Sequence, residues 1–131
     1  MVDLLAKALL ATVVIEELAT LFVQGILTTR GKRLPWTIFL VTLWANALTN
    51  PTINLVCWYM PDSLMDQVFF YFSLVVCLEL GVLAVETLIF YRFGRVRPLS
   101  GACFFAFILN ASSYFSGTWL NKIGYWDWNF F

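Results

Sequence analysis

Four apolar runs divide the chain, and each carries its polar residues in the middle as well as at the ends. The runs cover residues 4–28, 35–59, 67–91 and 99–120. At about 1.5 Å of rise per residue, each is long enough to cross a hydrocarbon core of roughly 30 Å. The breaks between them are short and polar. The first is Arg30-Gly31-Lys32-Arg33-Leu34-Pro35, the second is residues 60–66 with Asp62, Ser63 and Asp66, and the third is Tyr91-Arg92-Phe93-Gly94-Arg95-Val96-Arg97-Pro98. The pattern predicts an all-α polytopic membrane protein of four transmembrane helices in a single domain. Pro35 and Trp36 suit a helix start at the membrane–water interface, and Asp62 or Ser63 suits the cap of the third helix. The last residues, 121–131, are rich in Trp, Tyr and Phe, which fits an interfacial tail.

The polar residues inside the runs set the candidate chemistry. Glu79 and Glu86 stand seven residues apart, which puts them within about 20° of one helix face and roughly 10 Å apart along the axis. A carboxylate facing lipid is costly, so this face is expected to look inward. In the first run Glu17, Thr20 and Gln24 share one face, with Glu16 about 100° round the helix. On an insertion scale two central acids cost about 2.5–3.5 kcal/mol each, so this span depends on later helices sheltering Glu16 and Glu17. They also interrupt the run too early for a signal peptide, and no small-residue cleavage site follows. In the second run Asn46, Asn50 and Asn54 repeat every four residues, and Pro51 removes a backbone donor. A kink or local unwinding is expected there, freeing carbonyls near Ala47. The fourth run contributes Asn110, Ser113 and Ser116. Asn110-Ala111-Ser112 has the glycosylation pattern, but its place in mid-span argues against that use.

The two halves of the chain match each other. Glu17 aligns with Glu79 and Gln24 with Glu86, Arg30-x-x-Arg33 with Arg92-x-x-Arg95, and Asn46-Ala47-x-Thr49 with Asn110-Ala111-x-Ser113. This predicts two tandem two-helix repeats, about 4–59 and 67–120, related by a pseudo-twofold along the membrane normal. The expected fold is a four-helix bundle with a polar interior. Glu17, Asn46, Glu79 and Asn110 would meet near mid-membrane, with Gln24 and Glu86 on one side and Asn50, Asn54, Ser113 and Ser116 on the other. Small residues Gly81, Ala84, Ala102 and Ala106 would let the helices pack closely.

Composition narrows the function. Of 131 residues, 61% are hydrophobic and 12% charged, which leaves no room for a separate soluble domain. Net charge is zero, so bulk charge predicts no nucleic-acid partner. Histidine is absent, and Cys57, Cys77 and Cys103 are widely spaced. Zinc chemistry lacks its usual ligands, and the sequence assigns neither metal nor cofactor. The cysteines are expected as small buried hydrophobes, with a Cys57–Cys77 disulfide as the weaker reading. Lys and Arg gather in the first and third turns and acids in the second. The positive-inside rule then puts both basic turns in the cytoplasm and both termini outside a bacterial-type inner or plasma membrane.

Three classes of function fit. Carboxylates and amide oxygens are hard ligands, so a column of Glu16, Glu17, Gln24, Asn46, Thr49, Asn50, Glu79, Glu86, Asn110 and Ser113 suits a transporter or channel for a proton, a cation or a cationic substrate. The same residues serve equally as hydrogen-bonding glue in an accessory subunit that holds a partner or a hydrophobic ligand. A second copy of the chain would shield the glutamates better than four helices alone. The third class is a lipid-modifying enzyme. The Glu-x6-Glu spacing resembles that of the small bacterial diacylglycerol kinases. Those enzymes carry an asparagine between the acids where this chain has apolar residues, so the resemblance implies no kinase activity here. No phosphate-cradling loop and no histidine-activated nucleophile is present.

Overall fold

The computed structural model describes residues 2–59, 61 and 68–122. They form four helices: α1 over Val2–Thr29, α2 over Thr37–Trp58, α3 over Val68–Arg92 and α4 over Leu99–Lys122. Three of them contain segments long and apolar enough to cross a membrane, Leu9–Thr29, Phe72–Arg92 and Leu99–Leu120. The remaining helix, α2, carries Asn46, Asn50, Asn54 and four threonines among its 22 residues and is not one of these three. Against the expected unwinding, α2 runs through Pro51 as one continuous helix. The acidic loop at 62–67 and the aromatic tail at 123–131 lie outside the described residues, as do the side chains of Asn54 and Cys57.

The helices pack in a ring. α1 lies between α2 and α4, and α3 lies on the far side between the same two. The sequence explains how each turn closes. Gly31 takes φ 72° after α1, so that its amide and that of Lys32 reach back to the carbonyls of Thr28 and Leu27. This left-handed closure favours glycine. Gln24 then clamps the returning chain: its side-chain amide donates to the Leu34 carbonyl and accepts from the Leu34 amide, both at 3.0 Å. At the other turn Arg97 sits 3.8 Å above the Tyr91 ring.

The apolar core gathers towards these two turns. Ile38 and Ala45 of α2 meet Phe90 of α3, Val96 of the turn, and Ala102, Phe105, Ala106 and Leu109 of α4. Phe90 and Phe105 meet edge to face at 4.9 Å. Ala102 and Ala106 are fully buried and give α4 its close approach, whereas Gly81 and Ala84 are exposed. The expected packing role therefore holds for the α4 pair and not for the α3 pair. Cys77 and Cys103 are likewise exposed and unbridged, so they are neither buried hydrophobes nor a disulfide with Cys57.

Gly94 is where the turn has least room. A Cβ there would come within 2.8 Å of both the Phe90 carbonyl oxygen and Ile38 Cδ1. The carbonyl is backbone and yields little. Gly94→Ala is expected to cost about 1 kcal/mol through local overpacking, read as a lower melting temperature in detergent. Gly25→Ala, which meets nothing within 4 Å, is the matched control.

Candidate functional site

Among the described residues seven polar ones are buried: Glu16, Thr20, Thr42, Asn46, Thr49, Glu86 and Thr87. The outward surface is the reverse, with Leu18 and Phe22 of α1, Leu40 and Trp44 of α2, Leu80 of α3 and Phe104 of α4 all more than half exposed. Polar residues inside and large apolar ones outside is the inverse of a water-soluble domain, where an exposed apolar surface of this extent is rare.

Two carboxyl groups organise the buried set. Glu16 of α1 is 2% exposed and Glu86 of α3 is 1% exposed. Asn46 of α2 donates from Nδ2 to Glu16 Oε2 at 2.7 Å, and Asn110 of α4 donates from Nδ2 to Glu86 Oε2. Each asparagine thus serves the glutamate of the preceding helix. The hydroxyls cross over. Thr49 Oγ1 of α2 lies 2.8 Å from Glu86 Oε1, and Ser113 of α4 stands on the Glu16 side. Glu86 is therefore tied to both α2 and α4, and each glutamate stands close enough to the other for their charges to interact. Thr20 and Thr42, 3.4 Å apart, extend the polar contact between α1 and α2.

The same-helix contacts fix the amide orientations. Asn46 Nδ2 also donates to the Thr42 carbonyl at 3.3 Å, and Asn110 Nδ2 to the Ala106 carbonyl at 3.0 Å. Every neighbour of each nitrogen is an acceptor, so the NH2 end must face the glutamate. Among the described residues neither glutamate has an ion-pair partner, and no group of three or more His, Cys, Asp and Glu side chains gathers to hold a metal.

The sequence residues are thus sorted. Glu16, Asn46, Thr49, Glu86, Asn110 and Ser113 come together. Glu17 and Glu79 do not: the meeting expected of them falls to Glu16 and Glu86. Glu17 is half-buried, about 100° round α1 from Glu16. Glu79 shares a face with Glu86 but lies about 10 Å nearer the start of α3, where it is exposed. Gln24 is committed to the Leu34 clamp and stands outside the set. Asn50 is partly buried. Its offset of about 40° from Asn46, the drift of a four-residue step, turns it from the centre of the face.

Thr42 is not among the sequence candidates, and Thr20 enters there only on the face it shares with Glu17 and Gln24. Thr42 precedes Asn46 by four residues and Thr49 follows it by three, and that spacing marks the inner face of α2. A better signal for the glutamates is also present. Ile15-Glu16-x-Leu18 matches Val85-Glu86-x-Leu88, which pairs the two acids that the structure brings together.

An apolar groove of about 360 Å³ runs between α2 and α3, lined by Leu40, Val41, Trp44, Ile89 and Phe93 among others. None of the six clustered polar residues lines it. Compared with protein-family models, with curated proteins and with solved structures, the chain matches none.

Proposed function

We propose that the chain is a small multi-pass membrane carrier or channel for a proton, a cation or a cationic small molecule, with the Glu16–Glu86 pair as its binding site. One observation carries this reading: two carboxyl groups are buried in one bundle with amide and hydroxyl partners and, among the described residues, no ion-pair partner. Two uncompensated charges in a low-dielectric interior would cost several kcal/mol. A bound positive species relieves that cost, and its release restores it, which makes binding reversible. All four helices span in this reading, since α2 also turns Leu40, Trp44 and Leu48 outward. Both basic turns lie in the cytoplasm and both termini outside. The crossed placement of Thr49 and Ser113 supports a pseudo-twofold between the halves, with Glu16, Asn46 and Thr49 equivalent to Glu86, Asn110 and Ser113.

A second reading rests on Glu79. It is exposed on a helix apolar enough to span, and lipid is a poor neighbour for a carboxylate. A second copy of the chain, or a membrane partner, would cover it.

Reconstitution in liposomes tests the first reading. Under an imposed pH or cation gradient, the native chain is expected to carry flux, and Glu86→Gln to lower it at least tenfold. Glu17→Gln should retain most of it. Flux from the native chain no greater than from empty liposomes would sink the carrier reading. Loss of a co-purifying partner or of dimer in Glu79→Gln, with no flux in any variant, would establish the second.

A further inference from the structure

We infer that the species held at this site is the proton, and that Glu16 and Glu86 are built to stand as neutral carboxylic acids. The inference rests on the proposed binding site and names what it binds. It starts from counting protons at Thr49. This hydroxyl is 92% buried and lies 2.9 Å from the Ala45 carbonyl oxygen as well as 2.8 Å from Glu86 Oε1. A hydroxyl has one proton to give. If Glu86 is ionised, both neighbours are acceptors and one contact holds no hydrogen bond. If Glu86 carries a proton on Oε1, that O–H donates to Thr49 Oγ1, and Thr49 donates onward to Ala45. Both contacts are then satisfied.

The other oxygen agrees. Glu86 Oε2 accepts from Asn110 Nδ2, as the carbonyl oxygen of a carboxylic acid does. An amide donor on one oxygen and a hydroxyl on the other is the pattern that a neutral acid satisfies. The other half of the chain holds the corresponding residues. Glu16 Oε2 accepts from Asn46 Nδ2, and the Ser113 hydroxyl, on the Glu16 side of α4, lies 3.0 Å from the Asn110 carbonyl. At Thr49 the hydroxyl is placed directly between a backbone carbonyl and a glutamate. Metal ions fit less well, because amide NH2 groups, which cannot ligate, occupy one oxygen of each carboxyl.

The geometry also supplies the exchange step. When Glu86 releases its proton, the O–H bond on Oε1 breaks and the proton passes to a water molecule, forming hydronium. The Thr49 hydroxyl rotates its own proton from Ala45 to the new carboxylate. No other covalent bond changes. Thr49 thus acts as a rotor that serves the loaded and empty states in turn, and it is a positioning residue. The acids that bear on the exchange are Glu86 itself, Glu16 across the ring, Glu17 beside Glu16, and Glu79 one step along α3. The helices flanking α3 contribute Thr49 and Asn110, which carry no charge.

Infrared spectroscopy of the purified protein in detergent at neutral pH tests this directly. The native chain is expected to show the C=O stretch of a protonated carboxyl, shifted down in D2O. Glu86→Gln and Glu16→Gln should each remove part of it, and either variant alone suffices if the other fails to fold. Thr49→Val should keep the band, since the acid remains, but slow proton release at least tenfold. Thr49→Ser should restore the native rate. A carboxylic band that is absent, or unchanged in both glutamine variants, overturns the inference. So does any metal or organic cation that raises the melting temperature of the native chain and not of Glu86→Gln, because such a ligand takes the proton's place. A band that behaves as expected with no flux in liposomes leaves the inference standing and removes the carrier.

Discussion

Glu86→Gln is expected to melt within about 1 kcal/mol of the native chain, while Glu86→Ala loses about 3 kcal/mol. The contrast follows from what each substitution leaves behind. Alanine deletes the carboxyl group at a position that is 1% exposed. The space is closed on all sides, so a cavity remains. It also strands one proton of Asn110 Nδ2, and an unsatisfied buried donor costs roughly 1–3 kcal/mol. Glutamine keeps the shape. Its Oε1 accepts from Asn110 and its Nε2 donates to Thr49, the two roles that a neutral carboxylic acid performs. Were the native group ionised, glutamine would forfeit two charge-assisted hydrogen bonds and force Thr49 to turn its proton back to Ala45, so its cost would approach that of alanine. Unfolding of both variants in a denaturing-detergent titration measures the difference. Equal losses for Gln and Ala would show that the site is built around a charge.

That such a prediction concerns Glu86 and Glu16, and not Glu17 and Glu79, marks where the sequence stops being legible. Helix positions were readable. The runs at 4–28, 35–59, 67–91 and 99–120 correspond to helices Val2–Thr29, Thr37–Trp58, Val68–Arg92 and Leu99–Lys122. Glycine, proline and clustered basic residues end an apolar run for local reasons, so those ends need no tertiary knowledge. Facing is different. A helix that is apolar on every side gives no amphipathic direction. In α1 the two adjacent acids point about 100° apart, and only the arrival of Asn46 from α2 decides that Glu16 is the inner one. The asparagine stripe of α2 misled for a geometric reason. Each four-residue step drifts about 40°, so Asn50 lies at the edge of the face that Thr42, Asn46 and Thr49 share. The pairing of Asn46 with Asn110 and of Thr49 with Ser113 was legible, because both members recur with the same three-residue spacing. Thr49 and Ser113 each turn towards the glutamate of the other half, which no alignment of one half on the other displays.

Asn46→Leu and Asn110→Leu are each expected to cost about 2 kcal/mol, and the pair of them about 4 kcal/mol. Leucine keeps the branched heavy-atom skeleton of asparagine and removes the donor, with some added bulk to be packed. In each case one carboxyl oxygen is left buried without its amide. Hydrogen bonds between membrane helices average less than this, near 0.6 kcal/mol, because partners are also found in the unfolded chain. The higher figure is expected here because the acceptors are nearly sealed from solvent. Double-mutant cycles sharpen the point. Asn46→Leu and Glu16→Gln remove two ends of one contact, so their costs should fall short of additive by at least 0.5 kcal/mol. Asn46→Leu and Glu86→Gln share no direct bond and should add. If the cross pair couples as strongly as the direct pair, the two glutamates form one network, joined through α2 and α4. If only the direct pairs couple, each half of the chain holds its own carboxyl.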